Sequence, residues 1–583
     1  MNGYKKDYKL EKKFYQFENL RELLRVSSEK FPEKTAFVTK IKNKETKEVN
    51  YINTTYKNLF DSMNSLGSSL HKMGYTDSVI AVLGENSYKW CLAYFTIACG
   101  LGTVVPLDKM LQKDEIISCL VRSHSKAIFC DKKHYGLIKE IIDEKSTELE
   151  LVIALDFEDD QIPAVHSLID EGQNLTASGY TGYTDAPIDA DAARFLLFTS
   201  GTTQQSKAVM LSHRNFMSCN YGMNCEELFF EDDVNMMILP LHHCYGMSGL
   251  LTFLSQGMKN VFCDGLKYVA ANLKEYEVSV IMSVPLLLEN MYKKVNKAIA
   301  KQGMEKKVQT GLKICAAADK IGINLRRKVF KPIIEQLGGK LRFIINGAAA
   351  LDPEVSRGFN EFGILTVQGY GLTETAPTIA SETYRYLKPG SVGKLMPNVE
   401  GKIIDKNDEG VGELIVRGEN VMLGYYDNQE ATDEILQDGW LHTGDLAYFD
   451  EDGYLFICGR KKNVIVMKNG KNVFPEEIEN NINLIPYVSE SMVFTRNKVN
   501  DVVLWAKIVY DKEYLRENNM TLDDLKQKLD EDMDKINASM PAYKMIKRYY
   551  LSDVPTIKTT TQKTKRNEEI KVIEKEIENM DMR

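Results

Sequence analysis

The chain has 583 residues, of which 44% are hydrophobic and 27% charged, and its formal net charge is −8. That length exceeds what one hydrophobic core supports, so several lobes are expected. The acidic balance excludes a general nucleic-acid binder and leaves small molecules as the expected partners. The ten cysteines include no CxxC pair, match no zinc spacing and fit a reducing cytoplasm. The N-terminal stretch MNGYKKDYKLEKKFYQFENL has charges with no apolar core behind them, so neither a secretory signal nor an anchor is expected there.

In chain order, helical patterns at Leu20 to Phe31 and Lys57 to Met73 alternate with apolar runs such as VIAVLGEN and AIFCD. This order predicts an α/β fold with largely parallel sheets. Trp90 to Leu107 is uncharged enough to raise a membrane span, but Gly100, Gly102 and the run TVVPL predict a buried helix, a break and a core strand. Val234 to Met258 is interrupted by Pro240, His242 and His243, which argues the same way. Residues 170 to 190, rich in Gly, Ser, Thr and Asp, predict a loop. A second α/β stretch runs from Gly222 to Gly371, and short strands with glycine turns from Ser391 predict a β-rich subdomain.

The expected fold class is therefore multidomain α/β. Residues 1–459 would form an N-terminal domain of two α/β subdomains and a β-rich one, and 460–583 a small α+β C-terminal domain. The closing run KTKRNEEIKVIEKEIENMDMR predicts an exposed helix with solvated charges.

The densest chemical signal is FLLFTSGTTQQSKAVMLSHRN, residues 195–215. An apolar strand delivers Thr199, Ser200, Gly201, Thr202 and Thr203 into a turn that closes on Lys207. Small residues let backbone N–H groups approach a polyphosphate, the hydroxyls add donors and the lysine adds a point charge. A P-loop is excluded because Lys207 lies between Ser206 and Ala208. A ligand-free Ser/Thr-rich turn stays open.

Further short elements follow: PLHHCYG (240–246), VPLLLENMYKKV (284–295), INGAAAL (345–351), QGYGLTETAP (368–377), WLHTGDLAYFDEDGYLFICGRKKNVI (440–465), MKNGKNVFPEEIE (467–479) and IKTTTQKTKR (557–566). Each has a plain structural reading as well. The histidine pair reads as core or surface, 284–295 as an amphipathic helix, and 467–479 as a glycine hairpin before a helix.

In this order the elements resemble the adenylate-forming superfamily of acyl-CoA synthetases, nonribosomal-peptide adenylation domains and luciferases. VPLLLENMYKKV, followed by AAADK and RRKVFK, is similar to long-chain acyl-CoA synthetases. The family loop TSGTTGxPKG is altered here at Gln204, Ser206 and Ala208, and the family's PKTxxGKIxR at Gln562 and Thr564.

The resemblance implies ATP on Thr199, Ser200, Gly201, Thr202, Thr203 and Lys207, and adenine at Gly347, Ala348 and Tyr370, with Gly371 also binding the nucleotide. It places Thr373 on the α-phosphate and Asp445 on the ribose, with Arg460 as a second ribose or phosphate contact. Glu374, with Thr199, would hold Mg²⁺, and His243 would stand beside the reacting carboxylate. Lys563 would be the catalytic lysine bridging carboxylate and α-phosphate, Lys462 the hinge of a mobile C-terminal domain near 460–463, and Gly470 would lie on the coenzyme A path.

The implied reaction joins a medium- or long-chain fatty acid to coenzyme A through an acyl-AMP. An acyl carrier protein is the alternative acceptor, and a catalytically impaired binding homologue is a third reading. Peripheral membrane contact is left open.

Overall fold

The computed structural model describes residues 16–43, 46–199, 206–467, 471–498, 501–558 and 564–581, with only the backbone at 497, 498, 501, 502 and 577–581. The chain is mixed α/β and divides into two compact units. The larger contains residues up to 199, 206–400 and 416–441; the smaller contains 401–415 and the chain from 442.

The larger unit holds two sheets. One has seven strands in the order Gly424–Tyr425, Lys207–Ser212, Ala193–Thr199, Gly102–Leu107, Ser78–Leu83, Ala127–Cys130, Leu151–Ala154. Its pairings from Ala193–Thr199 to Leu151–Ala154 are parallel, and the two strands at the other edge are antiparallel.

The second sheet has nine strands, running from Lys394–Leu395 through Thr378–Ser381, Leu365–Gly371, Phe343–Asn346, Val280–Ser283, Val234–Met237, Lys259–Phe262 and Thr35–Lys42 to Val49–Thr55. Its central strands are buried on both faces, as Val280–Ser283 and Phe343–Asn346 show at every position. Parallel strands covered on both sides read as unbroken apolar runs, which is why these segments are legible in the sequence.

Trp90 to Leu107 folds as read: a helix Tyr88–Thr96, a single π-turn Ile97–Leu101 and a strand Gly102–Leu107. No helix among the described residues is long and apolar enough to cross a membrane.

The expected loop at 170–190 is corrected in its first part, because the helix Val165–Ala177 extends into it. Gly172, read as a loop signal, lies inside that helix against the helix Tyr56–Lys72. A Cβ there would stand 1.8 Å from the Ser65 carbonyl oxygen. The glycine permits close helix packing instead of breaking the helix.

The smaller unit pairs Leu455–Arg460 antiparallel to Asp445–Phe449, with Asp445 opposite Arg460. Its three-stranded sheet has Asp501–Tyr510 between Val488–Lys498 and Arg548–Ser552. The helices Pro475–Asn483 and Leu522–Ala538 pack Ile478, Ile482, Leu525 and Leu529 against it. The reading of the C-terminal charge run as a solvated helix is also corrected. The helix Arg566–Asp581 buries Ile573 beside Phe494 and Trp505, and Glu569 is 1% exposed.

Among the described residues, the buried carboxyls Glu227 and Glu382 of the larger unit have no cation partner in hydrogen-bonding reach. Glu227 accepts from the Ser381 hydroxyl at 3.0 Å, and Glu382 accepts backbone N–H groups of Gln368 and Lys388 at 3.1 and 2.7 Å. Burial pushes both up to about 8 from an ordinary value of 4.5.

Between those values the unfolded chain is ionised at these positions while the folded one keeps the protons. Stability is therefore lost as pH rises from about 4.5 to about 8. Glu227→Gln, a neutral isostere, is expected to leave unfolding free energy near parent values at the acid end. It should raise it at the alkaline end, measured by denaturant titration across that range; an unchanged slope refutes it.

Candidate active site

The strands on either side of the Ser/Thr-rich turn are paired in hairpin register. Thr199 faces Lys207 across the antiparallel strands, and its hydroxyl donates to the Lys207 carbonyl at 3.2 Å. Ser200, Gly201, Thr202, Thr203 and Gln204 lie outside the described residues. Arg122 donates to the Ser206 carbonyl at 2.8 Å and sits 5.2 Å from the Phe198 ring, so one guanidinium holds the base of the turn.

The Lys207 ammonium lies 4.7 Å from the Tyr425 ring centroid, and the Tyr425 hydroxyl donates to Glu374 Oε1 at 2.8 Å. Pairing of Gly424 and Tyr425 with Met210 and Val209 puts the tyrosine there. Lys207, Tyr425 and Glu374 therefore form one continuous string.

Glu374 belongs to a short 3₁₀ turn, Thr373–Thr375, that follows the strand Leu365–Gly371. The chain doubles back so tightly that a Cβ on Gly371 would fall 1.6 Å from the Pro377 carbonyl oxygen, and the Thr375 hydroxyl closes the turn by donating to that oxygen at 2.7 Å. Ser248 of the helix Cys244–Ser255 donates to the Ala376 carbonyl at 2.8 Å.

His243 is the N-cap residue of that same helix. The next residue, Cys244, has a thiol that burial pushes up to about 12 against the lowering pull of the Thr373 hydroxyl. The structure thereby brings His243 and Thr373 to one place, although 130 positions separate them in the chain. Asn86 holds the approach to this helix, donating to the Leu239 carbonyl at 2.8 Å and accepting from the Leu241 N–H at 3.2 Å.

Gly347, at the end of the strand Phe343–Asn346, packs so closely that a Cβ would meet the Tyr245 ring at 2.7 Å. Ala348 adopts φ +71°, a left-handed conformation that stores strain next to the predicted adenine position. Tyr370 is half-buried on the strand Leu365–Gly371, paired with Ala380.

In the smaller unit the Asp445 side chain is 5% exposed and receives Arg460 Nε at 2.8 Å. Its own N–H donates to the Thr443 hydroxyl at 3.1 Å, and that hydroxyl donates to the Leu414 carbonyl at 2.7 Å. Glu413 accepts Lys461 at 2.7 Å and the Gly444 N–H at 3.2 Å. Burial alone would raise the Glu413 carboxyl, but Lys461 and His442 hold it below the usual carboxylate range. Lys462 lies in the 3₁₀ turn Lys461–Asn463, directly after the strand that ends at Arg460.

Gly470 and Lys563 lie outside the described residues. The chain flanking Gly470 is closed by the pairs Ile465 with Val473 and Val466 with Asn472. The chain flanking Lys563 is joined by a β-bridge between Lys558 and Thr564.

Three site residues escaped the sequence reading. Arg122 carries no local signal. Tyr425 stands in a glycine-tyrosine-tyrosine run, an aromatic pair in a polar stretch, and Glu413 is a lone carboxylate in the apolar strand Gly412–Gly418.

Glu374 and Thr199 fit a small hard cation. Both offer oxygen donors, and the Tyr425 hydroxyl orients the carboxylate through Oε1 only, among the described residues.

A largely parallel sheet flanked by helices, with Lys207, Tyr425 and Glu374 strung together beside the strand that ends at Thr199, is an enzyme fold of the α/β class. The chain belongs to the AMP-binding enzyme family, whose description matches residues 24–426, while the AMP-binding enzyme C-terminal domain matches 462–581.

Long-chain-fatty-acid–CoA ligase FadD15 of Mycobacterium bovis is 28% identical over 71% of this chain and 70% of its own length. The chloroplastic long-chain-fatty-acid–[acyl-carrier-protein] ligase AEE15 of Arabidopsis thaliana is 27% identical over 79% of this chain and 72% of its own length. The anthranilate CoA ligase AuaEII, solved with anthranoyl-AMP, shares the fold with a TM-score of 0.75 at 19% identity, covering 95% of this chain and 97% of that one.

Proposed function

We propose that the protein activates a medium- or long-chain fatty acid with ATP, forming acyl-AMP and pyrophosphate, and then transfers the acyl group to coenzyme A with release of AMP. The observation that carries the reading is the string Lys207, Tyr425, Glu374, with Thr373 and His243 brought beside it by the helix Cys244–Ser255. The names of the fatty-acid ligases among its relatives support the substrate class.

The fatty-acid carboxylate is already ionised at neutral pH, so it attacks the α-phosphorus without a general base. Its oxygen–phosphorus bond forms as the bond to pyrophosphate breaks. Lys207 and the turn hydroxyls take the departing phosphates, and Thr373 orients the α-phosphate. Asp445, held by Arg460, takes the ribose hydroxyls. Glu374 and Thr199 would hold Mg²⁺, which neutralises phosphate charge when bound. Lys563 supplies positive charge to the pentavalent transition state, and Lys462 serves as the pivot of the smaller domain between the two half-reactions.

The test is a screen of fatty acids from medium to long chain for AMP formation that depends on coenzyme A. No pyrophosphate release with any of them would overturn the reading. Pyrophosphate release with transfer only to an acyl carrier protein would move the chain to the second reading, which the similarity to the carrier-protein ligase favours.

Tyr425→Phe removes the hydroxyl that orients Glu374 and keeps the ring under Lys207. A hydrogen bond to a charged group is worth about 1.5–3 kcal/mol, so catalysis at limiting magnesium should fall about tenfold or more. Excess magnesium should restore much of the loss, whereas a magnesium-independent defect would argue against the role.

A further inference from the structure

The chain's charge is unevenly spread. Residues 301–340 contain ten lysines and arginines against three acids, a net of +7 in a chain of net −8, which leaves −15 for the remainder. Such a local reversal is a field that attracts an anionic surface.

Four of the ten, Lys306, Lys307, Lys313 and Lys320, belong to the helix Glu305–Lys320. At 100° per residue Lys306, Lys313 and Lys320 fall along one line and Ile314 and Ile321 along the next. All five are exposed, Ile314 at 49% and Ile321 at 72%. The opposite face, with Gly311, Cys315 and Ala318, is buried against the core. Ile323, 48% exposed, continues the apolar row past the helix end, where Arg326 pairs with Asp319 through both nitrogens at 2.7 and 2.5 Å.

Further along the chain, the helix Lys331–Gln336 borders a cavity of about 370 Å³ lined by Arg327, Lys331 and Lys340 with Glu277 and Glu335. Arg327 is fixed in its wall by bonds to the Leu341 and Gly363 carbonyls at 2.8 and 3.3 Å.

We propose that this face, from Lys306 through Ile323, docks the protein on an anionic lipid bilayer. A solvated face needs lysines but not isoleucines beside them. Separate apolar side chains raised among lysines suit a fluid medium that admits each one, with the lysine stems lying along the boundary and their ammonium groups on phosphates. An acidic carrier protein would satisfy the charge but leave Ile314, Ile321 and Ile323 without an apolar phase. The proposal stands apart from the substrate reading, because binding is measured without turnover.

The experiment is co-sedimentation of the full chain with vesicles of phosphatidylcholine alone or mixed with phosphatidylglycerol. Binding is expected to the mixed vesicles only and to weaken as salt rises. The combined variant Lys306→Glu, Lys313→Glu, Lys320→Glu should bind them about tenfold or more weakly. The variant Ile314→Ser, Ile321→Ser should lose the binding that persists at high salt. All five positions are exposed, so unfolding curves of both variants should match the parent and separate lost docking from lost folding.

Equal binding to the two vesicle types, binding unchanged by either variant, or no binding would overturn the proposal. So would charge-dependent capture of an acidic carrier protein without vesicle binding.

Discussion

Lys563→Ala is expected to lower pyrophosphate release from ATP and fatty acid by about 10²–10³-fold, the scale of removing one preorganised donor from a developing charge. Thiol transfer from supplied acyl-AMP should stay near the parent rate. The expectation rests on how the flanking chain is held.

Lys558 and Thr564 form a β-bridge, and the Lys565 N–H donates to the Ile557 carbonyl at 2.7 Å. Glu490 accepts the Thr556 N–H at 2.8 Å and Lys558 Nζ at 2.6 Å. Arg566 meets Glu479 at 2.5 Å, and burial raises the Glu479 carboxyl against the lowering pull of that guanidinium. A basic tail left in solvent would need none of these anchors. The described chain on both sides of Lys563 is thus held within the smaller unit. Rates measured separately for the two half-reactions decide the matter, and equal loss in both would sink the assignment.

Lys507→Met should destabilise the smaller unit by about 3–5 kcal/mol, the cost of leaving one buried charge without its partner. Lys507 and Glu569 side chains are 2% and 1% exposed and meet at 2.6 Å. Glu569 also accepts the Ile557 N–H at 2.8 Å, so the same carboxylate anchors the chain before the Lys563 segment.

Denaturant unfolding followed by Trp505 fluorescence reads the loss, since Trp505 lies on the same strand as Lys507. The double variant Lys507→Met, Glu569→Leu removes both charges and should recover most of the stability. A single-variant loss below about 1 kcal/mol would mean the pair behaves like an exposed one. Adenylation should fall in the single variant even where it remains folded, because the anchor at Ile557 shifts.

The readable parts of this protein were contiguous. The phosphate turn, the 3₁₀ turn at Thr373 and the aspartate at 445 are short runs whose small and hydroxylated residues imply close backbone approach wherever they occur. The parallel strands were readable because burial on both faces leaves no polar alternation. Gly172 and the C-terminal helix were misread for one common reason. A glycine is locally a breaker, and alternating charges are locally a solvated face, unless a distant element packs there. Ser65 does so for the first and Lys507 for the second.

The sequence by itself determined the fold class and the order of the motifs that resemble an AMP-binding family, because each depends on short runs of adjacent residues and the backbone conformation they permit. Only the tertiary structure decided which charges became partners. Arg122 with the phosphate turn, Tyr425 with Glu374 and Lys461 with Glu413 join residues 84, 51 and 48 positions apart. A side chain's role there follows from the group that folding places opposite it, and a local reading of composition or period contains no record of that group.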